Sequence, residues 1–393
     1  MANTREDEIK DAEVTKIDKV KESVLKLKNK ESKFLFFVAR GTNPAASVYE
    51  IYFHATTLKN LGYNVTMLTD VADYEIPSWI EPVLTDLPHE SMEKAKLTVG
   101  TSDVVVIPEI FSNVMEQTKN LPCIRIGLLQ SIDYMLNGLL PATDWKSFGI
   151  EEIITTNSEA VILMNEFYGE NTYNMQIASP AIPEYFKYNG ELKRPVISIV
   201  GRNPNEISKI VKLFYSRYPQ YGWLTFDSMI TDSKPPSPLR RVDYAERLKK
   251  NFAVVWVDRI STFGTLPLEA MKAHTITIGL LPDIVPEYLL DEEKKSVENT
   301  GVWTTDLYAI PVLIGELVHK FLDDTIDDKI FETMGSIADK YNVVDAAKNI
   351  EEVYGSILQK RIDVLEKAIS DFERAKQLEA EIKPEVEPEE IKE

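Results

Sequence analysis

The sequence predicts an α/β protein made of two successive doubly wound domains of similar size. Three observations carry this. Short apolar runs alternate with helically spaced apolar segments, and after a Pro-rich break near residue 180 the alternation starts again. The first unit reads strand, loop, helix, Gly, strand, which is a βαβ unit and implies a parallel sheet covered by helices. At 393 residues the chain is too long for one ordinary core and suits two domains plus extensions.

Residues 1–32 form a charged N-terminal extension with weak helical periodicity through Val20, Val24 and Leu25, expected to be a mobile, partner-binding arm or else a surface helix. The first domain covers 33–187. "KFLFFVAR" (33–40) is a buried strand, "GTNPAAS" a loop, and Val48, Ile51, Tyr52, Ala55 and Leu58 mark a helix ending near Gly62. "YNVTMLTD", "SDVVVIPE" (102–109), "PCIRIGLLQ" (122–130) and "EEIITTNS" (151–158) are further strands, with a helix from Glu159 capped by Asn157 or Ser158. The segment 177–194 is Pro-rich and aperiodic, which marks the domain boundary.

The second domain covers 188–335. "PVISIVGR" (195–202), "GWLTFDSM", "FAVVWVD" (252–258), "TITIGL" (275–280) and "GVWTT" are its strands. Helices "NEISKIVKLFYSRYP" and "YAERLKKN" intervene, and "SKPPSPL" (233–239) is a loop. Arg240 and Arg241 beside it read as residues of a flexible surface loop, or as a contact to a partner or an anion. From about 309 the chain is helical, with C-terminal helices over 336–376. An acidic, Pro-containing tail at 377–393 reads as disordered.

Composition limits the function classes. A net charge of −19 argues against general nucleic-acid binding, which depends on basic surface. No apolar run approaches the ~20 residues of a membrane helix, and the N-terminus shows no secretion signal. One cysteine, Cys123, fits a reducing, cytoplasmic compartment. Four histidines and that cysteine, none at ligand spacing, give no metal site.

The chemistry concentrates in "RISTFGTLPLEAMKAHT" (259–275), a loop running into a helix after a strand. Open α/β sheets bind ligands at such places. Gly264 allows close backbone approach, and the helix start favours an anion such as phosphate. Glu269, expected near the third helical position, has the acceptors to hold sugar hydroxyls, or else it only complements the helix dipole. "VGRNPNEISK" ends a strand with Arg202 and places Lys209 on the next helix; together they would neutralise a diphosphate. In the first domain Glu109 ends a strand, as a ligand contact or a capping acid, and Gln130 and Asp133 follow another, as ligand contacts or part of a solvated loop.

These residues resemble a family. "RISTFGTLPLEAMKAHTITIGLLPDIVPEYL" is similar to the Glu-x7-Glu region of retaining GT-B glycosyltransferases of the large "group 1" clan, and "VGRNPNEISK" to their Gly-Arg…Lys segment. "PEYF" (183–186), "AAKNIEEVYGSIL" and the stretch from Gly41 to Asp70 also resemble family elements, over roughly 33–360. The resemblance implies two Rossmann-like domains facing across a cleft, an N-terminal acceptor domain, a C-terminal donor domain, and closing helices that cross back to the first domain. It implies a nucleotide-diphosphate sugar as donor, transfer with retention, and no cofactor or metal. Arg202 and Lys209 would bind the diphosphate, Glu269 the ribose, and the Phe263, Gly264, Thr265 and Leu266 backbone the phosphate and sugar. Gly41 would belong to the glycine-rich loop.

The departures are as informative. Ser261 stands where the first Glu belongs, and a hydroxyl cannot supply its charge. His274 replaces a small residue after the helix, and Gln130 and Ser131 occupy the place of a family histidine. His54 lies one helical turn from that place and reads as packed or surface. Two functions follow: a hexosyltransferase acting on a glycan, lipid or protein acceptor, or a catalytically inactive GT-B protein serving as a binding or structural component of an assembly such as a virion. In the second, the charged termini would dock, and a homo-oligomer is one such assembly. An epimerase of the same fold is a third, weaker for want of acids and histidines.

Overall fold

The computed structural model describes residues 2–39, 44–92, 98–228, 239–261, 263–291, 293 and 295–382, with side chains from 15 to 378. The chain begins with α1 (Ala2–Lys28) and then builds the first sheet. In order come β1 (Lys33–Val38), α2 (Ala46–Asn60), β2 (Asn64–Thr69), α3 (Pro82–Thr85), β3 (His89–Ser91), β4 (Val104–Pro108) and α4 (Ser112–Gln117). β5 (Ile124–Leu129), α5 (Ile132–Asn137), β6 (Glu152–Thr155), α6 (Ser158–Tyr168) and β7 (Asn174–Ile177) complete it. Its seven strands run in the order β3-β2-β1-β4-β5-β6-β7, all parallel.

The period-2 pleat explains why the strands read as unbroken apolar runs. Phe34, Phe36 and Val38 of β1 point into one core, and Leu35 and Phe37 into the other. Val104 and Val106 of β4 join the first core, Val105 and Ile107 the second. Both faces are therefore buried under helices.

The second sheet uses β8 (Arg194–Gly201), α7 (Pro204–Arg217), β9 (Thr225–Ser228), α8 (Arg241–Lys250), β10 (Asn251–Val257), α9 (Thr265–Lys272), β11 (Ile276–Leu280) and β12 (Val302–Thr304). Its five strands run in the order β12-β11-β10-β8-β9, again parallel. Helices α10 (Ile310–Leu322), α11 (Lys329–Ala338) and α12 (Val343–Ile382) follow.

α12 returns to the first sheet. Its Ile350, Tyr354, Ile357 and Leu358 are buried in the core that holds β1 and α2. The Tyr354 ring packs edge-on against Phe34 at 5.8 Å, and its hydroxyl meets His54 Nδ1 at 3.2 Å. α1 lies antiparallel beside α12 and buries Val24 and Leu27 in the same core. Lys28–Glu366 and Lys21–Glu373 span the pair, but they are exposed and contribute little next to that burial.

The expected mobile N-terminal arm is thus a docked helix from at least Val24 onward; its polar face had masked two buried apolar residues. α3, α4, α5, β3 and β7 were not anticipated. Each is too short to show a period. Much of the loop at 233–239 and the last residues of the acidic tail lie outside the described residues.

His54 is fully buried, and burial lowers its pKa to about 4 from the usual 6.5. The native state therefore holds it neutral while the unfolded chain protonates it first, so stability falls as pH drops from 6.5 towards 4. Between pH 7 and pH 5 this residue should remove on the order of 2 kcal/mol of unfolding free energy. Urea denaturation of wild type and His54→Leu at both pH values checks it: the variant should lose that share of the pH dependence.

Candidate functional site

A cavity of about 790 Å³ lies between the two sheets. Residues just beyond strand carboxyl ends line it from both sides: Ala39, Glu109 and Gln130 from the first sheet, Arg202 and Asp258 from the second. This is where parallel sheets place ligands, because loops there lead into helix N-termini.

The start of α9 is held rigidly in that wall. Gly264 precedes it with φ +69, and a Cβ there would lie 2.6 Å from the Trp256 ring. The glycine is therefore required by the left-handed backbone and by the buried tryptophan alike. The Tyr288 hydroxyl donates to the carbonyls of Gly264 (2.6 Å) and Phe263 (3.2 Å). Phe263 packs edge-on against Tyr288 and Tyr341. Ser261 lies beside this turn and also lines the cavity.

Glu269 is the fifth residue of α9, so the expected place in the first turn is corrected. It points away from a simple dipole role and forms a buried ion pair with Arg241, Nη2 to Oε1 2.5 Å, both side chains 7% exposed. Burial works against the Arg241 charge, but Glu269, Tyr49, Tyr185 and Glu50 together outweigh it and hold the guanidinium above its usual range. The guanidinium also stacks on the Tyr49 ring of α2 at 3.5 Å. The Arg241 backbone N–H donates to the Trp79 carbonyl at 2.9 Å. One arginine of α8 thus joins both sheets. This corrects its assignment to a flexible surface loop. The signal was available: Arg241, Ala245 and Leu248 share the buried face of α8.

Arg202 bridges the same cleft. Its Nε donates to Asp258 Oδ2 at 2.9 Å and its Nη1 to the Tyr134 hydroxyl of α5 at 2.8 Å. Ser131 Oγ donates to the Ile260 carbonyl at 2.9 Å, and the Ser158 N–H to Glu287 Oε2 at 2.9 Å. Among the described residues, polar links from Arg241, Arg202, Ser131 and Ser158 thus cross between the domains.

Arg202, Ser261, Phe263, Gly264, Thr265, Leu266 and Glu269 all line the cavity, as do Glu109 and Gln130. Lys209 is exposed on α7 and does not line it, so the expected Arg–Lys partnership does not form there. Asp133 is half-buried and outside the lining. Burial, then Asp283, pushes its carboxyl up. Gly41 lies outside the described residues. Glu109 is buried and accepts the Gln130 backbone N–H at 3.3 Å, and burial pushes its carboxyl up to about 7. Gln130 in turn donates to the Ser47 carbonyl at 3.0 Å.

Sequence reasoning missed Glu50 of α2, which also lines the cavity. It is 3% exposed, and burial pushes its carboxyl up to about 8. The run "VYEIYFHA" carried the signal: one acid within an otherwise apolar and aromatic helix face.

No family model and no curated protein sequence matches the chain. Solved structures do. The pneumococcal O-GlcNAc transferase GtfA, in complex with UDP and GlcNAc, is similar over 82% of this chain and 99% of that one, at 9% identity and a TM-score of 0.58. An alpha-glucosyltransferase in complex with UDP and a 13-mer DNA containing an HMU base is similar over 82% and 98%, at 11% identity and 0.52. The OtsA apo structure is similar over 82% and 99%, at 7% identity and 0.52. At such identity the likeness concerns the fold, and the chain has the GT-B fold.

The buried pair makes a sharp prediction. Glu269→Ala leaves the Arg241 guanidinium buried without its carboxylate and should cost about 3–5 kcal/mol. The double replacement Arg241→Met, Glu269→Leu should recover most of that loss. Chemical denaturation of the three proteins measures both effects.

Proposed function

We propose that the chain is a glycosyltransferase that takes a nucleotide-diphosphate sugar in the interdomain cavity and transfers the sugar with retention to an acceptor bound by the first domain. The observation that carries this reading is the convergence, on one cavity, of the carboxyl ends of two parallel sheets, the N-terminus of α9 and Arg202. The UDP named with two of the similar structures supports the donor class.

In this reading the free N–H groups at the start of α9 and the Arg202 guanidinium stabilise charge on the departing diphosphate. Arg202 is half-exposed and already paired with Asp258. Donor binding then exchanges the Asp258 carboxylate for phosphate oxygens, which the guanidinium fork accepts equally well. Glu269 serves the donor ribose only if Arg241 releases it. While the pair is closed, Glu269 acts as a support for the cavity wall.

The inactive alternative rests on Ser261, which carries no charge where the family has a carboxylate. The cavity is not short of acids, however: Glu50 and Glu109 line it from the first domain. A panel of UDP, GDP and ADP with their sugar conjugates, followed by calorimetry and by product analysis, tests the proposal. Arg202→Ala should weaken diphosphate binding about tenfold or more, the scale of one charge-assisted contact. Lys209→Ala should leave it unchanged. Absence of binding, hydrolysis and transfer across the whole panel would falsify the proposal.

A further inference from the structure

Glu50 has no structural use that the fold reveals. No well-formed hydrogen bond reaches either of its carboxyl oxygens, although the residue is 3% exposed; the Ala181 N–H and the Arg241 guanidinium lie near it. Buried acids are ordinarily paired, because an unsatisfied carboxyl loses its hydration and receives nothing in return. Around it the pattern continues. Arg241 Nε is also buried without a partner, the Tyr244 hydroxyl has Glu269 near it but no well-formed hydrogen bond, and both residues line the same cavity. Two carboxyl oxygens, one N–H donor and one hydroxyl are therefore left open on a shared wall.

We propose that Glu50, Arg241 and Tyr244 form a polyol subsite that holds hydroxyl groups of the sugar, with Glu50 supplying from the first domain the carboxyl group that position 261 lacks. Neighbouring hydroxyls of a pyranose match this set. One sugar O–H donates to the Glu50 carbonyl oxygen, the protonated Glu50 O–H donates to a sugar oxygen, and further sugar oxygens accept from Arg241 Nε–H and Tyr244 O–H. A phosphate does not match, since it would face the Glu50 carboxyl and Glu269 together. Apolar surface from Ala45, Val48 and Trp79 lines the same cavity and suits the C–H faces of a sugar ring. The subsite rests on the proposed donor but is separable from it, since the diphosphate contacts are assigned to Arg202 and α9.

The test compares wild type, Glu50→Met and Arg202→Ala, each as the full chain. Calorimetry measures UDP against UDP-glucose and UDP-GlcNAc, and GDP against GDP-mannose; saturation-transfer NMR measures the free hexoses. In wild type a sugar nucleotide should bind about tenfold more tightly than its bare diphosphate, the scale of one or two hydrogen bonds to a charged group. Glu50→Met should erase that margin while bare diphosphate affinity stays within about twofold. Arg202→Ala should weaken both ligands together. Methionine removes an unpaired acid at similar length, so its melting temperature should match or exceed wild type. If that variant does not fold, Glu50→Gln replaces it, with a margin cut about threefold.

A margin that survives at position 50 sinks the subsite and leaves the nucleotide reading standing. Free hexose that binds wild type but not Glu50→Met, with no nucleotide bound, keeps the subsite and sinks the nucleotide reading. No binding of any probe overturns both.

Discussion

The ion pair of Arg241 and Glu269 is the constraint on which the site depends. A buried guanidinium must keep its carboxylate, and here the carboxylate comes from α9 while the stacking surface comes from α2. Because α8 carries the arginine, three helices are fixed against one another by one side chain. The start of α9 cannot drift, since Tyr288 and the aromatic cluster around Phe263 hold the turn before it. Shape and charge of the cavity are therefore properties of the closed domain pair and belong to neither sheet alone.

This gives the cavity an unusual charge balance. Among the described residues, both lining arginines are already engaged, Arg202 with Asp258 and Arg241 with Glu269. The acids outnumber them, with Glu50 and Glu109 also in the wall. An anionic ligand must therefore compete with carboxylates for a guanidinium, which favours exchange at the half-exposed Arg202 over the buried Arg241. The two arginines consequently divide the work: one is accessible for ligand charge, the other maintains the frame.

Much of this was legible in the sequence. The strands that are buried on both faces announced themselves as apolar runs, and the restart after residue 180 separated the two sheets. The turn at Phe263-Gly264 and the cavity positions of Arg202 and Glu269 followed from the loop-to-helix pattern. What escaped depended on tertiary geometry. Lys209 has the right chemistry, but its position on α7 turns it to solvent. Arg241 looked like one of two equivalent arginines beside a Pro-rich loop, and only the pitch of α8 distinguishes it from exposed Arg240. Glu50 stood out as a single acid in an apolar stretch, but that pattern does not disclose whether a partner awaits it.

The return of α12 has a consequence for how the molecule comes into being. The core over β1 and α2 is closed by Ile350, Tyr354 and Ile357, which the ribosome delivers only after the entire second sheet. During synthesis the first sheet therefore waits with one apolar face uncovered, while the second sheet can fold as an insertion within it. Vectorial synthesis thus makes the N-terminal half the later one to mature. A nascent chain stalled anywhere before α12 exposes the aromatic surface of β1 and α2, and it is there that a holding chaperone would find its grip.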